Sequence, residues 1–129
     1  MILTIDFQSD FPIYKQIKHQ IIEGIAKGEL KPGDPLPSVR MLAQDLGVNM
    51  HTINKAYQLL KQEGFIQIHR QRGVVIQSEG FPTLTEEYLK NLEEHLRPLI
   101  GESICRGMKE DAFINLCQTI FKQMEKGGK

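Results

Sequence analysis

Gly47 constrains this chain more than any other residue, because it stands between two short apolar stripes of the same period. Before it, Val39, Leu42, Ala43 and Leu46 fall at i, i+3, i+4 and i+7. After it, Ile53, Ala56, Tyr57 and Leu60 repeat that spacing. Each set lines one face of an α-helix. The segment between them is so short that the two helices must meet at a sharp turn, and glycine supplies the positive φ such a turn requires. Ser38 and Asn49 stand where N-caps belong, and Gly64 closes the second helix. Two helices joined in this way form a helix-turn-helix.

The flanking segments extend the motif. Asp10-Phe11-Pro12 reads as a helix entry, since proline suits the first helical turn. Tyr14, Ile17, Ile21 and Ile25 predict a helix over Pro12–Lys27, stopped by Gly28. Met1–Phe7 alternates partly and is expected to form an extended arm or edge strand. Lys31–Pro37 is dense in turn formers. Phe65–Ile68 and Val74–Gln77 predict two short strands, with Arg70-Gln71-Arg72-Gly73 as the hairpin tip. Ser78–Thr83 reads as a joint, which divides the chain into a domain over 1–78 and a tail over 79–129. In the tail, Leu89, Leu92, Leu96 and Leu99 recur with 3-4-3 spacing, like a short coiled-coil seam. Pro98 should kink that helix by removing the bond to the carbonyl of Glu94. Beyond Gly107, Phe113, Leu116, Cys117, Ile120 and Met124 share one face of a last helix. The expected fold is mainly α: a winged helix-turn-helix of three helices and a two-stranded wing, followed by an antiparallel two-helix dimerisation tail. The pattern leaves open whether the tail packs within one chain or between two.

The charge balance sets a condition on function. Sixteen Lys and Arg oppose sixteen Asp and Glu in 129 residues, nearly evenly on both sides of Gly80. Affinity for nucleic acid must therefore come from a local basic face, not from a basic composition. Cys105 and Cys117 fall in helical patterns and read as buried thiols of a reducing cytoplasm. No apolar run approaches the roughly 20 residues of a membrane span, and Met1–Phe7 has no signal-peptide pattern. A cytoplasmic protein without a membrane partner is expected.

A basic face is legible. With the second stripe turned inward, Met50, His51, Asn54, Lys55 and Gln58 are left outward near the N-terminal end of its helix, the end that enters a major groove. Asparagine pairs bidentately with adenine, and lysine reaches guanine or a phosphate. Arg40 lies opposite the first stripe, suited to a backbone phosphate. Arg70 and Arg72, with His69 beside them, suit phosphates or the minor groove. Arg40, Lys55, Arg70 and Arg72 are expected to gather into one cationic surface. Asn49 is read first as a cap, a role compatible with a phosphate contact.

Pro12-Ile13-Tyr14-Lys15-Gln16-Ile17, Leu30 to Arg40, Leu46-Gly47-Val48-Asn49, Ala56-Tyr57-Gln58-Leu59-Leu60 and Glu63-Gly64-Phe65-Ile66 together resemble the GntR family of bacterial regulators. The short tail, with Glu94-His95-Leu96-Arg97-Pro98-Leu99-Ile100, is similar to the YtrA-like subfamily. The resemblance implies a homodimeric transcriptional repressor on an inverted-repeat operator, often controlling its own operon together with a transporter of the ATP-binding-cassette type. It also implies DNA contacts from Arg40, His51, Thr52, Asn54 and the wing around Gly73. Many relatives of other subfamilies carry Arg where this chain has Met50 and again where it has Asn54, so their base preferences do not transfer. The tail residues Leu89, Leu92, Leu96, Leu99, Phe113, Leu116 and Ile120 are the candidates for dimerisation.

The alternative is a winged-helix protein-interaction module without DNA binding, and salt dependence separates the two. His19, His51, His69 and His95 lie on separate elements with no metal-ligand spacing, so no metal or cofactor is expected. Glu86-Glu87 and Glu93-Glu94 look like a solvated helix face and not a catalytic pair, so the chain does not read as an enzyme. The tail is too short for the ligand domains of larger relatives. Any small-molecule effector would sit between the tail helices or at a dimer interface, and no residue identifies its chemistry.

Overall fold

Helix α1, Ile13–Ala26, opens the first of two units in the computed structural model, which describes residues 3–126. The unit continues with α2 (Val39–Leu46), α3 (Met50–Gln62), β1 (Ile66–His69) and β2 (Gly73–Ile76). A second unit holds α4 (Glu86–Cys105) and α5 (Glu110–Lys126). The chain divides between Pro82 and Thr83, at the far end of the joint expected over Ser78–Thr83. The reason is apolar: the Phe81 ring lies 6.1 Å from that of Phe65, and Phe81 packs against the core of the first unit.

Both stripes face that core. Ile53, Ala56, Tyr57 and Leu60 are fully buried together with Ile17 and Ile21 of α1. Leu42 and Ala43 of α2 are buried, while Val39 and Leu46 are half-buried at its edge. Leu30, Leu36, Ile66, Val74 and Ile76 complete the cluster. Helix α3 packs against α1, α2 and β1, so it is the centre of the domain. The Tyr57 hydroxyl donates to the carbonyl of Pro37 at 2.8 Å, which ties the entry of α2 to the middle of α3.

Caps fix the turn between the short helices. The Ser38 hydroxyl accepts from the N–H of Met41, and the Asn49 side chain accepts from the N–H of His51 at 2.7 Å. Gly47 is left-handed at φ 68°, and its N–H and that of Val48 both end on the carbonyl of Ala43. These bonds satisfy carbonyls and amides that helix ends would otherwise leave unpaired.

Two features lay beyond sequence patterning. Lys31-Pro32-Gly33-Asp34 forms a turn with Gly33 at φ 85° and the N–H of Asp34 donating to Lys31 O, the geometry that proline then glycine favours. The turn delivers Asp34 to Leu36 alongside β2, where Leu36 N–H donates to Val74 O and Ile76 N–H to Asp34 O, each at 2.8 Å. The hairpin thus gains a third extended neighbour. The N-terminal arm is no edge strand over residues 3–6. Gln16 and Gln20, one turn apart on α1, grip its backbone with their amides at Asp6 and Thr4. Met1 and Ile2 lie outside the described residues.

In the second unit, Thr85 caps α4 by accepting from the N–H of Tyr88, and Arg106 and Gly107 end it. The helix runs through Pro98 as one element. No residue of α4 is buried, and α4 and α5 do not pack along each other, so an antiparallel pair is not what the single chain forms. The two helices meet at an elbow whose apolar hollow, about 430 Å³, is lined by Ile100, Ile104, Met108, Phe113 and Ile114 among others. The cysteines accordingly differ from expectation: Cys105 is exposed, Cys117 is half-buried, and both are free thiols.

Candidate nucleic-acid interface

The cap at Asn49 sets which way the first turn of α3 points. With Ile53, Ala56 and Tyr57 held inward, Met50, His51, Asn54, Lys55 and Gln58 are all exposed, and Thr52 is half-buried. Asn49 is exposed as well, but its side-chain oxygen is already engaged by the His51 N–H. Its amide NH₂ remains as a donor.

Arg40 is the second residue of α2, exposed, in the first turn after the Ser38 cap. The Tyr57–Pro37 bond fixes that turn against α3, so the backbone carrying Arg40 is set relative to α3.

The wing is a two-stranded antiparallel hairpin with Ile66 opposite Ile76 and His69 opposite Gly73. Three residues, Arg70, Gln71 and Arg72, form its exposed tip, and Gly73 at φ 74° re-enters the strand. The left-handed residue is the one just past the tip, where glycine adopts that conformation without steric cost. His69, Arg70, Gln71 and Arg72 together line a shallow depression at the tip. An Arg72 guanidinium nitrogen lies 3.1 Å from Nε2 of His69. Arginine only donates, so the bond requires the neutral imidazole with its proton on Nδ1.

Lys55 is exposed along its stem, but its ammonium sits 4.1 Å from the centroid of the Tyr14 ring on α1. That cation–π contact joins the basic face of α3 to α1, and single-sequence spacing gives no sign of it because the partners are 41 residues apart. The same two helices are bridged again by Lys18 Nζ and Glu63 Oε2 at 2.7 Å.

Ionisation in this unit follows burial. Tyr57 is pushed well above its ordinary value by burial, so its hydroxyl stays a donor to Pro37. His19 is held below the ordinary 6.5 first by burial, then by Lys18 and Lys15, with Glu63 opposing. Among the described residues there is no group of three or more His, Cys, Asp or Glu placed to hold a metal ion, and no helix long and apolar enough to cross a membrane.

The tail candidates are placed on open faces. Leu89, Leu92, Leu99, Leu116 and Ile120 are between 41% and 58% exposed, and Leu96 and Phe113 are half-buried.

This order of elements is a recognisable one. A family model described as bacterial regulatory proteins, gntR family, matches residues 13–76, from the first residue of α1 to the last of β2. The repressor YtrA of Bacillus subtilis (strain 168) is 39% identical over 127 residues, covering 98% of this chain and 97% of the relative. The chain belongs to the GntR family. As a GntR protein it is a transcriptional regulator with a winged helix-turn-helix, and the relatives it matches are regulators, not enzymes. Its likeness extends over both units to the crystal structure of a transcriptional antiterminator from Listeria monocytogenes EGD-e, at 27% identity and a TM-score of 0.89, covering 97% of this chain and 93% of that one. The DNA-binding domain of AraR, solved in complex with the operator ORX1, matches at 30% identity and a TM-score of 0.52, covering 57% of this chain and 95% of that one.

Proposed function

We propose that this GntR regulator is a homodimeric repressor that binds an inverted-repeat operator, with α3 in the major groove and the wing on the adjacent backbone or minor groove. The observation that carries the reading is the exposed first turn and a half of α3: His51, Asn54 and Lys55 are exposed on a helix whose opposite face buries Ile53, Ala56, Tyr57 and Leu60. Thr52 and Asn49 lie at the same end, and Arg40, Arg70, Arg72 and Gly73 lie on the elements beside it. Asn54 and His51 offer hydrogen-bonding groups for base edges, while the arginines and Lys55 suit phosphates. That AraR is seen on its operator supports the same use of the shared domain here. The open faces of α4 and α5 are assigned to pairing with a second chain, through Leu89, Leu92, Leu96, Leu99, Phe113, Leu116 and Ile120. Repression fits the role of YtrA as a transcriptional repressor, and a transporter operon and a bacterial cytoplasmic setting complete the proposal.

Titration of a labelled operator duplex across a salt series tests it. Affinity falls steeply as salt rises, because each neutralised phosphate releases counterions. Arg40→Ala and Arg72→Ala each weaken binding to operator and unrelated duplexes alike and lower the salt slope by about one unit per lost contact. A chain that binds no duplex at low salt is a protein-interaction module instead.

A further inference from the structure

The apolar stripe of α3 continues past the core. Met50, Ile53, Tyr57 and Leu60 follow at i, i+3, i+7 and i+10, so periodicity would carry Met50 toward the buried side. Ile53, Tyr57 and Leu60 are fully buried, whereas Met50 is 47% exposed and stands outside the apolar cluster. It is the first residue of α3, at the end assigned above to the major groove. Asn54, one turn on, shares its side of the helix. The side-chain oxygen of the preceding residue, Asn49, is engaged as the cap.

An apolar side chain at this place has little to offer a polar base edge. The thioether is a weak acceptor and no donor. Its chain is unbranched and adapts to irregular surfaces. Among the four bases, thymine alone presents a methyl group in the major groove. Resting on the functional reading above, we infer that Met50 is a specificity-determining residue that packs on the methyl group of a thymine in each operator half-site. Residues four apart on a helix hold their Cβ atoms about 5–6 Å apart, and successive bases on a strand are about 3.4 Å apart. The thymine therefore lies within two base pairs of the position that Asn54 addresses.

The test removes one methyl at a time. A duplex is selected from a random pool with the full-length protein, and each thymine in turn is replaced by deoxyuridine, which differs only in lacking that methyl. One replacement per half-site weakens binding of the parent protein about fourfold, the weight of one buried methyl-sized group. Met50→Ala binds the unmodified duplex more weakly and is indifferent to that replacement. Met50→Leu, which keeps an apolar tip, retains the sensitivity. Helical circular dichroism and melting of both variants match the parent, since Met50 holds no place in the core. Sensitivity at no thymine, or the same loss in Met50→Ala as in the parent, overturns the inference while the functional reading stands. Absence of binding to any duplex overturns both.

Discussion

Tyr57 shows how one side chain serves both packing and placement. Its ring is fully buried among the apolar residues of α1 and α3, and its hydroxyl reaches out of that cluster to Pro37, one residue before the cap of α2. Tyr57→Phe keeps the ring and removes the bond, which lowers stability by about 0.5–1.5 kcal/mol at neutral pH. The sign of the pH effect follows from burial. The folded protein raises the tyrosine above its ordinary value of 10.0, so the unfolded chain ionises first. The stability Tyr57 contributes is whole below pH 10 and is lost as pH rises above it. Chemical denaturation from pH 8 to 11 shows a shallower alkaline decline for Tyr57→Phe, and an unchanged decline removes Tyr57 from the account. At this scale the exposure of candidate residues was legible where residue type and face decide the matter, as at Arg40, His51 and Asn54. It was not legible where a partner comes from far along the chain. Lys55 was expected as a free outward cation, but the Tyr14 ring holds its ammonium.

Among the elements, α2 and its turn depend most on a single backbone conformation. Eight residues give α2 barely two turns, so its ends carry much of its stability. Gly47 has open space where a Cβ would stand, so substitution there costs conformation and not collision. Gly47→Ala lowers stability by about 1–2 kcal/mol, the cost of a left-handed L-residue. It leaves α3 helical, because Asn49 still caps it. Denaturant titration measures the loss, and a variant as stable as the parent shows that the turn has another way to close. The helices were legible because apolar period and cap residues agreed, with observed ends within a residue or two of expectation. The extended segment Asp34–Leu36 beside β2 was not legible, since its pairing is set by the turn at Pro32-Gly33 and by carbonyls forty residues away. The arm over residues 3–6 was legible as extended but not as captive. Its partners are two glutamine side chains, and polar residues on a helix face ordinarily read as solvent-facing.

For the whole molecule, the division between Pro82 and Thr83 gives the cut that tests the dimer. A chain ending at Pro82 retains the Phe81–Phe65 packing and the complete core of the first unit. It folds, sediments as a monomer and loses about two to four decades of operator affinity, because the second half-site is no longer tethered. A fragment that stays dimeric and binds as tightly as the full chain assigns the tail another task. The division lies at the far end of the Ser78–Thr83 joint because Phe81, within a polar stretch, packs against the core of the first unit.

The exposure of α4 and α5 also bears on time. Helices of 20 and 17 residues with open apolar faces have little within one chain to hold them, and in proteins most helical stability comes from packing of an apolar face. Under the dimeric reading, ordering of the tail is then a bimolecular event. The rate at which any one chain completes it falls in proportion to the number of chains present, while the rate at which one chain folds its first unit does not depend on that number. A cell that dilutes this regulator by growth thus lengthens the interval between making a chain and having a working repressor.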